Sequence, residues 1–272
     1  MIVDYHMHLR NRGEEEPAGR YLRDRVDLYV EQAARAGVDE IGFTDHVYHF
    51  AQSRHLWEIP WMLERCTDDL DEFVATVEDA KRQDLPVKLG IEVDYFPGLE
   101  EGLAELLAPY DWDYVLGSVH YVDGLAIDQE PSLIGAVGVE EGWSRYFDWL
   151  AQAAGSGLFD VLSHPDLVKF FGKRPADVSP LHAALLDAAA EWDVCLEVSA
   201  AGLHKPVGEL YPDTELLRGA HGRGIPITLA SDAHVPEHVG RDLASAVELA
   251  RASGYETVSV FDGGERRQEP LG

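Results

Sequence analysis

Short apolar runs recur along this chain, each ending in polar residues and followed by a stretch with helical spacing of its apolar side chains. The runs cover residues 2–4, 40–44, 87–93, 114–118, 159–163, 194–199 and 225–230. The helical stretches include residues 26–36, 61–82, 139–154, 180–192 and 213–223. Gly37, Gly157 and Gly224 stand where a left-handed residue would end a helix, and Pro180 suits a first helical turn. Apolar strands alternating with helices call for a parallel sheet with helices on its outer face. Seven or eight such units predict an α/β barrel in a single domain spanning residues 1–272. An open doubly wound sheet would satisfy the same periodicity. Residues 258–261 read as a last strand or a tail.

A length of 272 residues with 46% hydrophobic content suits one closed barrel. No segment approaches the roughly 18 uninterrupted apolar residues of a membrane span. The opening MIVDYHMHLR lacks the basic head and apolar stretch of a secretion signal. The expectation is a cytoplasmic protein with no membrane partner, in which the widely separated Cys66 and Cys195 are free thiols. The formal charge of −28 repels nucleic-acid phosphates and anionic lipid. It also repels a phosphorylated metabolite, which would need local positive charge such as bound divalent cations.

The polar residues at the ends of the runs are of metal-ligating type. The first run leads to His6-Met7-His8, the second to Asp45-His46, and the third holds Glu92 and then Asp94. The fourth leads to His120, the fifth to His164, and the seventh to Asp232-Ala233-His234. Each is weak alone: a lone His-x-His is commonly coincidental, and Asp45 could cap a helix. Together they matter, because barrel strands converge at their C-terminal ends and a period of two sends both rings of His-x-His to one side. Imidazole with carboxylate suits zinc, iron or manganese. These groups are too many for one tetrahedral ion and would serve two or three, with a carboxylate bridging. His55, His182, His221 and His238 read as surface residues.

At these positions the chain resembles the polymerase-and-histidinol-phosphatase (PHP) superfamily, through DYHMH, GFTDH, GIEVDY, GSVHY, LSHPD and SDAH in the family's order. DYVLGSVHYV, HPDLVKFFG, AGLHKPVGELYP and SDAHVPEHVG look like its histidinol-phosphate phosphatase branch. The resemblance implies a distorted (β/α)7 barrel with a trinuclear metal centre. His6, His8, Glu92 and Asp232 would hold one ion, Glu92, His120 and His164 a second, and His46 with His234 a third. The family completes the third site with a His or Asp from the loop after His-x-His; here Glu14 stands there, with Glu15 and Glu16 as alternatives. Two further departures are Ser199, where the branch has Asn, and His204-Lys205, where Arg is typical of the phosphate contact.

The implied reaction is hydrolysis of a phosphate monoester, L-histidinol phosphate in histidine biosynthesis. A metal-activated hydroxide held by Glu92, His120 and Asp232 would attack, since metal lowers the pKa of water toward ~7. Lys205, Lys169 and His204 are the candidate substrate contacts, with Asp94, Tyr95 and Tyr121 facing the imidazole and amine. Other readings remain open: another small phosphorylated metabolite or nucleotide as substrate, or a non-catalytic metal-binding module. A C–N-cleaving amidohydrolase shares the ligand types but not the pairing of Glu92 with His120.

Overall fold

The computed structural model describes residues 1–10 and 21–272. Among them, seven parallel strands follow one another in a single sheet in chain order. They are β1 (Val3–Met7), β2 (Glu40–Phe43), β3 (Val87–Asp94), β4 (Tyr114–Ser118), β5 (Val161–Leu162), β6 (Cys195–Ser199) and β7 (Ile227–Ala230). The sheet closes just beyond β7, where His8 N donates to Ala233 O at 2.7 Å and Ala233 N to His6 O at 3.3 Å. This is a distorted (β/α)7 barrel: β5 keeps only two residues of regular strand, and the β1–β2 register slips between Asp4 and Met7. Such a bulge re-aims side chains, here next to His6.

The helices form where the apolar spacing placed them, with one exception. α1 (Arg23–Ala36) buries Val26, Tyr29 and Ala33 and stops at Gly37, whose φ of 72° is left-handed. The stretch 61–82 is not one helix. A turn at Pro60–Leu63 gives way to residues whose backbone bonds elsewhere, Thr67 N and Asp68 N both reaching His49 O. Only then does Asp69 accept from Asp71 N and open α2 (Leu70–Arg82). α3 (Glu100–Leu107), α4 (Val139–Gly155), α5 (Ser179–Glu191), α6 (Thr214–Gly222) and α7 (Leu243–Ala252) complete the coat. None of the described helices is long and apolar enough to cross a membrane.

The two barrel ends are finished differently. Residues 258–261 belong to a hairpin, β8 (Thr257–Asp262) and β9 (Glu265–Pro270). Its Phe261 ring lies 5.2 Å from that of Tyr114 and 5.9 Å from that of Tyr5, and its turn bonds to Asp113, the residue before β4. The hairpin therefore covers the N-terminal ends of the strands. Tyr114 reaches across the barrel to donate to Tyr5 O at 2.7 Å. A Cβ on Gly90 would sit 2.7 Å from the Tyr114 ring, so only glycine leaves room for it. Among the described residues the C-terminal strand ends carry no such plug, and the ligand-type residues gather there.

Candidate metal centre

Main-chain bonds between neighbouring strands bring these residues together. The seam between β1 and the segment after β7 sets His6 and His8 beside Asp232 and His234. Glu92 N donates to Asp45 O at 3.2 Å, which sets His46 beside Glu92. Asp45 is buried and accepts from Leu9 N and Arg10 N at 2.8 and 2.9 Å, tying the turn after β1 to the end of β2. Burial pushes its carboxyl up to about 7 against those bonds. Asp232 and His164 both take positive φ, 53° and 26°. Aspartate tolerates that region, whereas it is costly for histidine.

Glu92 is the hub. It is wholly buried. His46 Nδ1 lies 2.5 Å and His6 Nε2 3.2 Å from Oε2, while His164 Nε2 lies 3.2 Å and His120 Nε2 3.5 Å from Oε1. Ser118 Oγ donates to Oε1 at 2.6 Å. Around Asp232, His8 Nε2 stands at 3.3 Å and His6 Nε2 at 3.8 Å from Oδ1. The His8 ring lies 4.3 Å from that of His46 and 4.2 Å from that of His234. Four overlapping groups have ligand atoms within 4.8 Å of one another: His6–His8–Asp232, His6–Glu92–His164, His46–Glu92–His120 and His8–His46–His234.

These residues fit divalent cations. His6 Nε2, His46 Nδ1 and Glu92 Oε2 are buried, converge, and have no hydrogen-bond partner among the described residues. His6 Nδ1 lies 2.8 Å from Glu197 Oε2, and a proton held there leaves Nε2 as a bare lone pair facing Glu92. Lone pair against carboxylate is repulsive unless a cation lies between them. Where no cation lies between them, the surrounding carboxylates draw a proton to the ring instead. Burial alone would lower His6, yet Glu197, Glu92 and Asp232 hold it well above its ordinary value. Burial alone would raise Glu92, yet His46, His6 and His120 hold it well below.

Two residues that orient the ligands were not recognised as such in the sequence. Glu197 braces His6 and accepts from His164 N at 3.0 Å. Asp94 Oδ1 lies 2.8 Å from His120 Nδ1, so it serves that ring rather than a substrate. A carboxylate on the far nitrogen of a metal-binding imidazole is the usual way of fixing its tautomer. The signal for Glu197 was a lone charge inside CLEVS, an otherwise apolar buried strand.

Other expected positions fall as follows. Lys169 does not reach the site: it is fully buried, its Nζ donates to Leu210 O at 2.6 Å and pairs with Asp166 at 2.7 Å, and it does not line the metal-centre cavity. His204 has both ring nitrogens engaged, with Asp242 and Arg241. The Tyr95 hydroxyl donates to Glu100. His182 is buried, not superficial. Glu14, Glu15 and Glu16 lie outside the described residues. Above the ligands is a cavity of about 210 Å³ walled by Tyr48, Trp61, Tyr121 and Asp128, with Lys205 at its edge.

Comparison with known proteins identifies the family and the fold. Residues 23–201 match the PHP domain family. A Deinococcus radiodurans protein named "Probable histidinol-phosphatase" is 38% identical over 238 residues, covering 85% of this chain and 88% of that protein. The histidinol-phosphatase of Bacillus subtilis is 27% identical, with 80% of this chain and 90% of that protein covered. Among solved structures, the histidinol phosphate phosphatase of Lactococcus lactis, a complex with zinc, L-histidinol and phosphate, superposes with a TM-score of 0.78. It is 20% identical and covers 98% of each chain, a likeness of fold. The chain belongs to the PHP domain family.

Proposed function

We propose that this chain is a metal-dependent phosphomonoesterase that hydrolyses L-histidinol phosphate to L-histidinol and phosphate, a step of histidine biosynthesis. The reading rests above all on the convergence of His6, His46, His120 and His164 on one buried carboxylate, Glu92, in a chain whose relatives are named histidinol-phosphatase. The active unit is a single domain spanning residues 1–272. Buried free Cys66 and Cys195 suit a reducing cytoplasm, and the charge of −28 disfavours nucleic acid as substrate.

The four overlapping groups have the capacity for two or three ions, and their mixed imidazole and carboxylate donors suit zinc, iron or manganese. His6, His8, Glu92 and Asp232 would hold one, Glu92, His120 and His164 a second, and His46 and His234 a third with Glu14. Such ions supply charge that stabilises the phosphoryl oxygens and make water acidic enough, with a pKa toward ~7, to act as the nucleophile.

The chain's own residues do the rest. Glu92, His120 and Asp232 line the cavity and would hold the cations that face the phosphoryl group, and Lys205 adds an ammonium to the lining. Tyr48, Trp61 and Tyr121 provide flat walls for an imidazole, and Asp128 a carboxylate for a cationic substrate. A water oxygen bonds to phosphorus, the bond from phosphorus to the ester oxygen breaks, and the alcohol leaves with a proton. Phosphate release from L-histidinol phosphate should exceed that from sugar, nucleotide and amino-acid phosphates, and should vanish on chelation. Equal rates across the panel, or none on histidinol phosphate, would reject the assignment.

A further inference from the structure

Beside the metal cavity lies a second hollow of about 310 Å³, and the two share Lys205, Asp232 and His234 in their walls. Its outer wall carries His204, His238 and Arg241. In a chain with 50 acidic and 22 basic residues, this collection of cationic and imidazole groups lies next to the proposed phosphate site, where an anion needs it.

Arg241 is held in a defined pose. One of its terminal nitrogens lies 2.5 Å from His204 Nδ1, and the other 3.5 Å from His238 Nε2. A guanidinium only donates, so the His204 nitrogen it meets is an unprotonated acceptor. The His204 proton is then on Nε2, which donates to Asp242 Oδ2 at 2.6 Å. Asp242, 3.9 Å from Arg241 Nε, thus takes its short bond from histidine rather than from arginine. Carboxylate, imidazole and guanidinium form a line that fixes the arginine and leaves most of its five N–H groups available.

Resting on the phosphatase reading, we propose that Arg241 and Lys205 form an oxyanion subsite gripping the phosphate of substrate and product, with His204 and Asp242 as positioning residues. Lys205 alone is a point charge; a planar guanidinium adds the paired donors that match two oxygens of a phosphate. The arginine comes from the loop between β7 and α7, whereas Lys205 follows β6.

The test uses the full-length, metal-loaded protein and inorganic phosphate, read both as inhibition of turnover and as heat of binding in calorimetry. Arg241→Ala should raise the phosphate inhibition constant, the calorimetric Kd and the KM each by about tenfold, the size of one charge-assisted hydrogen bond. Metal content and Tm should stay unchanged. Arg241→Lys should recover part of the loss, and His204→Ala should weaken phosphate binding less than Arg241→Ala does. Arg35→Ala, which removes a like charge from exposed α1, should leave phosphate binding as it was. Phosphate affinity in Arg241→Ala within twofold of the parent would overturn the subsite while leaving an active phosphatase in place. A parent that binds phosphate through Arg241 yet hydrolyses no monoester would keep the subsite and sink the phosphatase reading. A parent that binds no phosphate would overturn the subsite itself.

Discussion

At the N-terminal end of the barrel the Asp113 carboxylate accepts from Leu89 N at 2.7 Å, Gly263 N at 2.8 Å and Lys81 Nζ at 2.8 Å. At the opposite end Glu92, equally buried, has one oxygen with no hydrogen-bond donor among the described residues and imidazole nitrogens crowding it. Both carboxylates cost free energy to bury. Asp113 recovers it inside the protein, because it joins the start of β4 to β3, to α2 and to the closing hairpin. Glu92 does not, and an unsatisfied buried oxygen of this kind calls for a ligand from outside. One end of the barrel is completed by its own chain, the other by cations.

The strongest way to break this contrast is to change the hub. Glu92→Gln should lower kcat by at least ~100-fold, the scale on which a single charge-stabilising group acts in such sites. It should also abolish most of the rise in Tm that metal gives the parent, since a ligand stabilises only the state that binds it. Thermal melts with and without chelator check this. A variant whose melting still responds to metal as the parent's does would refute the role of Glu92. Glu197→Gln should act more mildly, by about 10–100-fold in metal affinity or turnover, because it orients His6 without touching the ion. Metal titration followed by competition with a chromogenic chelator reads that loss, and parental affinity would show that Glu197 merely fills space.

Much of this was legible beforehand, for a definite reason. His-x-His, Asp-His, Ser-His-Pro-Asp and Ser-Asp-Ala-His are local patterns, and local patterns survive in a linear reading. What failed to show was pairing across the fold. Lys169 looked like a free cation in a loop until Asp166, three residues on the other side of a tight turn, and the carbonyl of Leu210 claimed it. Asp94 looked like a substrate contact until His120, 26 residues away, took it. Arg241 carried no motif, and its meaning comes from His204, 37 residues earlier. The break between the turn at Pro60–Leu63 and α2 was hidden for the same reason, since residues 67 and 68 spend their amides on His49.

Two aspartates then separate the ends by what each variant changes. Asp113→Asn puts an amide where donors already point, stranding one of them, at a cost of about 1–3 kcal/mol. For a chain of this size that lowers Tm by about 2–4 °C per kcal/mol, equally with and without metal, and KM should not move. Asp128→Asn should do the reverse. Asp128 stands in the cavity wall beside Tyr121 and Trp61, so Tm should hold while KM for L-histidinol phosphate rises about tenfold, the value of one charged contact. An aryl phosphate without a cationic group has nothing for Asp128 to hold, and its KM should stay within twofold. The aryl ester also guards against a different explanation. Asp128 is one of the carboxylates that, against burial and after Asp94 and Glu92, raise His120 to about 10. Were its effect exerted through that ligand, both substrates would suffer alike and kcat would fall with them. Equal losses on the two esters would therefore move Asp128 from the substrate to the metal side of the cavity.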